Sequence, residues 1–256
     1  MLSVVLGALE FPPIDNLVVW PDAIEGTGFN KIAFINLFAV VATSLIFLIG
    51  ARKKALVPKG MQNLAEASVD FIQKGIIDQA IGHGGAAYLP YLATIFFFVF
   101  FGNIFEIIPV IAMPANARMA NPAFMGLLTL VFFVSVGIRH HGLRYFKDAL
   151  FPPGVPKALY LLVTPIEFLS TFIVRPFSLA VRLFANMLAG HILLVTFAVL
   201  TIALFETIGV LSVIGIFSFG MLVGLTGFEL MVSFLQAYVF AILAAVYIGG
   251  ALHPDH

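Results

Sequence analysis

The chain has 256 residues, 61% of them hydrophobic and 10% charged, with a mean hydropathy of +1.09; soluble domains carry about 25% charged residues, so a water-soluble globule is the wrong starting point. Thirteen Lys and Arg balance 13 Asp and Glu, which leaves no basic surplus to hold a polyphosphate backbone and excludes nucleic acid as a partner. Cysteine is absent, and disulfides, thiolate metal sites and cysteine nucleophiles go with it. The 28 Phe, 22 Gly and 14 Pro suit helices embedded in lipid, which tolerate Gly and Pro better than soluble helices do. The expectation is an all-α integral membrane protein, with 31–256 as a single polytopic membrane domain.

Residues 1–30 hold Glu10, Asp15, Asp22 and Glu25 and no Lys or Arg, and read as an exposed lead-in. Met1–Leu9 lacks a basic flank and is short for a signal peptide, so it reads as mature sequence. The first transmembrane helix is expected over about 31–50. Arg52, Lys53 and Lys54 come directly after it, which puts that end inside and the acidic N-terminus outside. An amphipathic interfacial helix is expected over 58–83, with Met61, Leu64, Ala65, Val69, Ile72 and Ile76 on one face and Gln62, Glu66, Asp70, Gln73 and Lys74 on another. Gly82–Ala87 has the spacing Gly-x-Gly-x-x-Ala, but no strand precedes it and a membrane span comes next, so dinucleotide binding does not fit.

A transmembrane hairpin is expected next, with spans over 88–112 and 122–138. Asn103 and Glu106 lie near its outer end, and Arg139, His140, His141, Arg144 and Lys147 at its inner end. Two long helices, 157–205 and 207–252, complete the chain. At about 1.5 Å per residue each could reach roughly 65–70 Å against a hydrocarbon core of about 30 Å, so they must tilt steeply, bend or break. Thr164-Pro165, Arg175-Pro176 and the glycine-rich stretch Gly215–Gly227 are the places where a bend is expected. Both long helices would have their far ends inside, placing the C-terminus in the cytoplasm.

Several charges lie where hydrocarbon should reject them. Arg182 at mid-bilayer costs about 2.5–3.5 kcal/mol on insertion scales. Either it pairs with Glu167 or Glu229 to hold helices together, or it is a fixed cation on an ion path. At about 100° per residue, Asn186 shares a face with Arg182, whereas His191 lies about 180° away and about 13 Å along the axis. Glu229, Ser233, Gln236, Phe240 and Tyr247 form a narrow stripe on the last helix. Antiparallel pairing would bring Gln236 near the level of Arg182 and Glu229 near His191, and a His–Glu pair can bind and release a proton near neutral pH. Ala185 and Ala189, Gly220 and Gly224, and Ala241 and Ala245 are spaced for close helix contact. His140-His141 and His253-Pro-Asp-His256 lack metal-ligand spacing. No P-loop, zinc-protease motif or nucleophile elbow is present, and no cofactor or metal is expected.

The segment Arg175-Pro-Phe-Ser178-Leu-Ala-Val-Arg182-Leu-Phe-Ala-Asn186-Met-Leu-Ala-Gly-His191 closely resembles subunit a of F-type ATP synthases. Phe234-Leu-Gln236-Ala-Tyr-Val-Phe is similar to the final helix of that family. The resemblance implies a membrane stator beside a rotating c-ring, held by b-type peripheral stalk subunits in a bacterial inner membrane, with no catalytic site of its own. It places the essential arginine on Arg182 and its partners on Asn186 and Gln236. His191 and Glu229 stand in exchanged order relative to some members. Asn103 and Glu106 would line a proton inlet. Glu167 sits one place from the acid that the family carries near the inner exit, and Ser178 and Tyr247 would line a half-channel. Two offset aqueous half-channels for protons are the implied mechanism. A proton-coupled secondary transporter would need a cavity at broken helices, usually with repeat symmetry that the sequence lacks. A purely structural membrane subunit would tolerate neutral residues at Arg182 and Glu229.

Overall fold

The computed structural model describes residue 26 and residues 29–52, 55–82, 84–108, 111, 113–151, 156, 159–206 and 210–252. The expectations about the lead-in before residue 26, Lys53, Lys54 and the 253–256 tail lie outside the described residues. Every regular element among the described residues is helical.

Helix α1 (Lys31–Gly50) begins where the Asn30 side chain accepts the Ala33 N–H at 3.1 Å, satisfying one of the unpaired donors of the first turn. Helix α2 (Met61–Ile72) runs on through a π turn, Gln73–Ile77, and a last turn, Asp78–Ala80. Its buried stripe is Ala65, Ser68, Ile72, Ile76 and Ile77, while Met61 and Leu64, expected on the apolar face, are exposed. Gln62, expected on the polar face, is buried: its amide donates to Ala55 O at 2.9 Å and to Glu66 Oε1 at 2.8 Å. A buried amide is tolerated when it closes a loop in this way. At the π turn Tyr238 OH donates to Gly75 O at 3.1 Å, so the widened turn offers a carbonyl to a neighbouring helix.

Helix α3 (Leu89–Ile104) starts after a single 3₁₀ turn, Gly85–Tyr88. It ends eight residues short of the expected 112. Glu106 and Ile107 N–H groups donate to Asn103 and Ile104 carbonyls, an i→i+3 tightening that closes the helix before Pro109, which cannot continue it. Helix α4 is Ala120–His141, α5 is Arg144–Leu150, α6 is Tyr160–Phe168, α7 is Arg175–Glu206 and α8 is Val210–Leu252.

Five segments are long and apolar enough to cross a membrane, and Tyr160–Glu206 and Ser212–Leu252 have 47 and 41 residues. At about 1.5 Å per residue they far exceed a core of about 30 Å, so neither can cross it straight and upright. The glycine-rich stretch Gly215–Gly227 does not break the helix: α8 is continuous from Val210 to Leu252. The irregularity lies between the two expected proline sites, where Leu169–Val174 forms a π turn joining α6 to α7. Pro176 has no N–H for the carbonyl of Phe172, inside that turn, and an i→i+5 ladder is a way round the missing donor.

Helix α8 is the centre of the bundle. Ala237, Phe240, Ala241, Ala244, Ala245 and Ile248 are buried against Ile72 and Ile76 of α2, Leu92 and Val99 of α3, Phe133 of α4, and Leu183 and Met187 of α7. The alanines keep the helix slender enough for neighbours on several sides. The pair Ala241 and Ala245 is thus packed, as expected. Ala185, Ala189, Gly220 and Gly224 lie open instead.

Candidate functional site: a polar file between the two long helices

Helices α7 and α8 pair antiparallel, and two contacts fix their register. Asn186 Nδ2 donates to Gln236 Oε1 at 2.8 Å. One turn further along α7, a Cβ on Gly190 would lie 2.6 Å from both Glu229 carboxylate oxygens, so that carboxyl rests on a glycine backbone. Gln236 therefore meets Asn186, about one turn or 6 Å from Arg182.

Arg182 is exposed on the outer face of α7, beside Ala185, Asn186 and Ala189. Among the described residues it makes no ion pair with Glu167 or Glu229. His191 is buried, on the other side of the same helix. A cavity of about 260 Å³ brings His191 together with Glu106 of the α3 end and Thr226 of α8. Glu106 and Glu229 are both 3% exposed. Among the described residues neither Glu106 oxygen has a hydrogen-bond partner, and neither does Glu229 Oε2. A polar atom left bare in an apolar interior is costly, and a water is its usual partner.

Four amides reach this region from the loop end of the bundle. Asn36 of α1 and Asn121 of α4 exchange hydrogen bonds at 3.1 and 3.3 Å. Asn121 Nδ2 also donates to Asn116 Oδ1 at 2.9 Å, and Asn116 Nδ2 donates to Asn103 Oδ1 at 2.7 Å. The relay ends at Asn103 Nδ2, which is buried and unpartnered. Of these four only Asn103 stood out in the sequence. Asn116 and Asn121 are amides at the edge of an apolar segment and Asn36 lies inside one, but nothing in sequence separation told that they meet.

At the opposite end the Arg175 guanidinium stands 5.4 Å from the centre of the Tyr247 ring. Arg175 ties the start of α7 to the end of α8 through its charge over the ring face. Glu167 and Ser178 are half-buried, and no hydrogen bond or ion pair among the described residues joins either to the file. No group of three or more His, Asp or Glu suited to a metal occurs among the described residues.

Residues 32–249 match the family described as ATP synthase A chain. The chain is 45% identical to the ATP synthase subunit a of Rhodococcus erythropolis over 229 residues, 88% of this chain and 83% of the relative. It is 44% identical to that of Frankia alni over 230 residues, 89% of this chain and 79% of the relative. With that of Methylobacterium sp. it shares 39% identity over 255 residues, 97% of this chain and the whole relative. The family match covers most of the long-helix pair, the hairpin and α1 together, and the chain belongs to the ATP synthase A chain family.

Proposed function

We propose that this chain is the proton-conducting stator subunit of an F-type ATP synthase, and that it holds two aqueous half-channels on either side of Arg182. Protons enter from the side of the Asn103 amide relay, pass Glu106, His191 and Glu229, and load a carboxyl on a ring of small partner subunits. They leave on the side of Glu167, Ser178 and Tyr247 after the ring has turned. The c-ring is the partner of the exposed face of α7, and b-type peripheral stalk subunits hold the chain still. A bacterial inner membrane, with the N-terminus outside and the C-terminus in the cytoplasm, is the setting.

The observation that carries this reading is the exposed Arg182, which forms no ion pair with a carboxylate among the described residues. An opposite charge within about 4–6 Å lowers a carboxyl pKa by about 1–3 units, so an arriving ring acid would lose its proton there. Guanidinium keeps its proton up to a pH above about 12 and cannot relay one. Arg182 thus separates the two paths while the ring passes. Each charge crossing 100 mV yields about 2.3 kcal/mol, so several protons are needed per ATP made elsewhere in the complex.

The test is ATP-driven proton pumping in vesicles holding the whole complex. Arg182→Ala abolishes it, and normal pumping by that variant removes the reading. Purification of the chain without a ring of small hairpin proteins would favour a transporter instead.

A further inference from the structure

A hydroxyl inside an apolar helix usually satisfies itself on the carbonyl one turn back. Eight side chains here do so: Thr43, Ser68, Thr94, Thr129, Ser135, Thr196, Thr201 and Thr226 each donate to the carbonyl at i−4, at 2.6–2.9 Å. Ser233 is fully buried on α8, and its Oγ has no partner among the described residues. Five buried side-chain atoms lack a partner among the described residues, and they belong to Asn103, Glu106, Glu229 and Ser233 alone. Three of those four residues already lie along the inlet. The fourth stands between its last acid and the Asn186–Gln236 pair, about 6 Å along the axis from Glu229 and about 4.5 Å from Gln236.

We propose that Ser233 is a proton-relay residue, joining Glu229 to the amide pair beside Arg182 through bound water. A buried polar atom costs free energy unless it finds a partner, and a water with two to four polar neighbours is the usual one. The neighbours are at hand: Glu229 Oε2 on one side, Gln236 and Asn186 on the other. In the transfer, Ser233 Oγ accepts a proton from the water on the Glu229 side, forming an O–H bond. Its original O–H bond breaks toward the water on the Gln236 side. The hydroxyl is regenerated with no net charge, and one proton has advanced by about one helical turn. Alanine at this place would interrupt the chain of donors and acceptors without removing any charge.

This proposal rests on the chain being a proton-conducting subunit, and the experiment separates the two. The whole membrane sector, with ring and stalk, is reconstituted in potassium-loaded vesicles, and valinomycin-driven proton uptake is tracked with a pH-sensitive dye. Ser233→Thr and Ser233→Val have nearly the same shape and differ in the hydroxyl. The threonine variant is expected to keep most of the wild-type flux, and the valine variant to lose about tenfold or more with a changed H₂O/D₂O rate ratio. Both are checked for retention of the subunit with the ring. Equal flux and equal isotope ratio in the two variants overturn the relay, while absence of flux in the wild type overturns the proposed function. If valine does not assemble, Ser233→Ala and Ser233→Gly take its place, and wild-type flux in either overturns the relay.

Discussion

Gly190 and Glu229 fit together as a backbone and the acid laid against it. A methyl group added to Gly190 would come within 2.6 Å of Cδ and both oxygens of the carboxyl, closer than any non-bonded contact permits. Gly190→Ala is therefore expected to push the Glu229 carboxyl off its place, and displacement of a reacting group by about 1 Å can cost about a hundredfold. Passive proton flux through the reconstituted membrane sector should fall at least tenfold, with the subunit still bound to its ring. Unchanged flux would mean that the position of Glu229 does not matter.

The Asn186–Gln236 bond is one link between α7 and α8, worth about 1 kcal/mol net. Asn186→Leu strands the buried Gln236 amide and should lose about 1–3 kcal/mol of stability in detergent, whereas Gln236→Leu leaves only the exposed Asn186 amide and should lose less. The double Leu variant should lose less than the sum of the two. A double-mutant cycle on thermal unfolding checks this, and simple additivity would show that the two amides do not interact.

Much of this geometry was legible in the sequence. A period of about 3.6 residues alone puts Arg182 and Asn186 on one face and His191 on the other, and it lines up Glu229, Ser233, Gln236 and Phe240, all buried in the fold. Periodicity cannot give the break in period. The two π turns each shift the register of the helix C-terminal to them, and no residue type announces them, although Pro176 marks one indirectly. At Gly215–Gly227 the helix stays unbroken, because in an apolar setting an intact backbone ladder outweighs the poor helix propensity of glycine. The Asn36–Asn121 pair spans 85 residues and is a product of tertiary packing. Gln62 escaped for the opposite reason: its polarity suggested solvent, and the Ala55 carbonyl supplied the substitute for it.

Asn116 is the middle of the amide relay, and its loss should be felt on both sides. Asn116→Leu leaves Asn103 Oδ1 without its donor and Asn121 Nδ2 without one of its acceptors, at an expected cost of about 1–3 kcal/mol. Asn36→Leu, at the partly buried edge, should cost less. Hydrogen exchange over residues 113–121 is the measurement, with faster exchange expected in the Asn116 variant. Identical protection would mean that the relay does not hold the loop.

Two sets of glycines should behave in opposite ways. A Cβ on Gly249 would stand 2.6 Å from the Ala80 carbonyl oxygen, which is backbone, so Gly249→Ala should destabilise the chain by about 1–3 kcal/mol. Around Gly220 and Gly224 nothing lies within 4 Å, and alanine there should leave the unfolding midpoint of the isolated chain unchanged. If those alanines nevertheless reduce recovery of the assembled complex, the open face of α8 is a contact surface with another subunit. Loss of midpoint in the isolated chain would contradict the packing described.

An exposed Arg182 also has a bearing on biogenesis. A guanidinium facing acyl chains is penalised by about 2.5–3.5 kcal/mol, and among the described residues no acid pairs with Arg182. A newly inserted copy is then at its least comfortable before it meets any other subunit, and its lifetime in a cell should depend on how soon an acidic helix arrives. Pulse-chase turnover in cells without the ring subunit would reveal a short-lived orphan, rescued by a neutral side chain at position 182. The charge at Arg182 would then serve as the mark by which quality-control proteases tell a solitary copy from an assembled one.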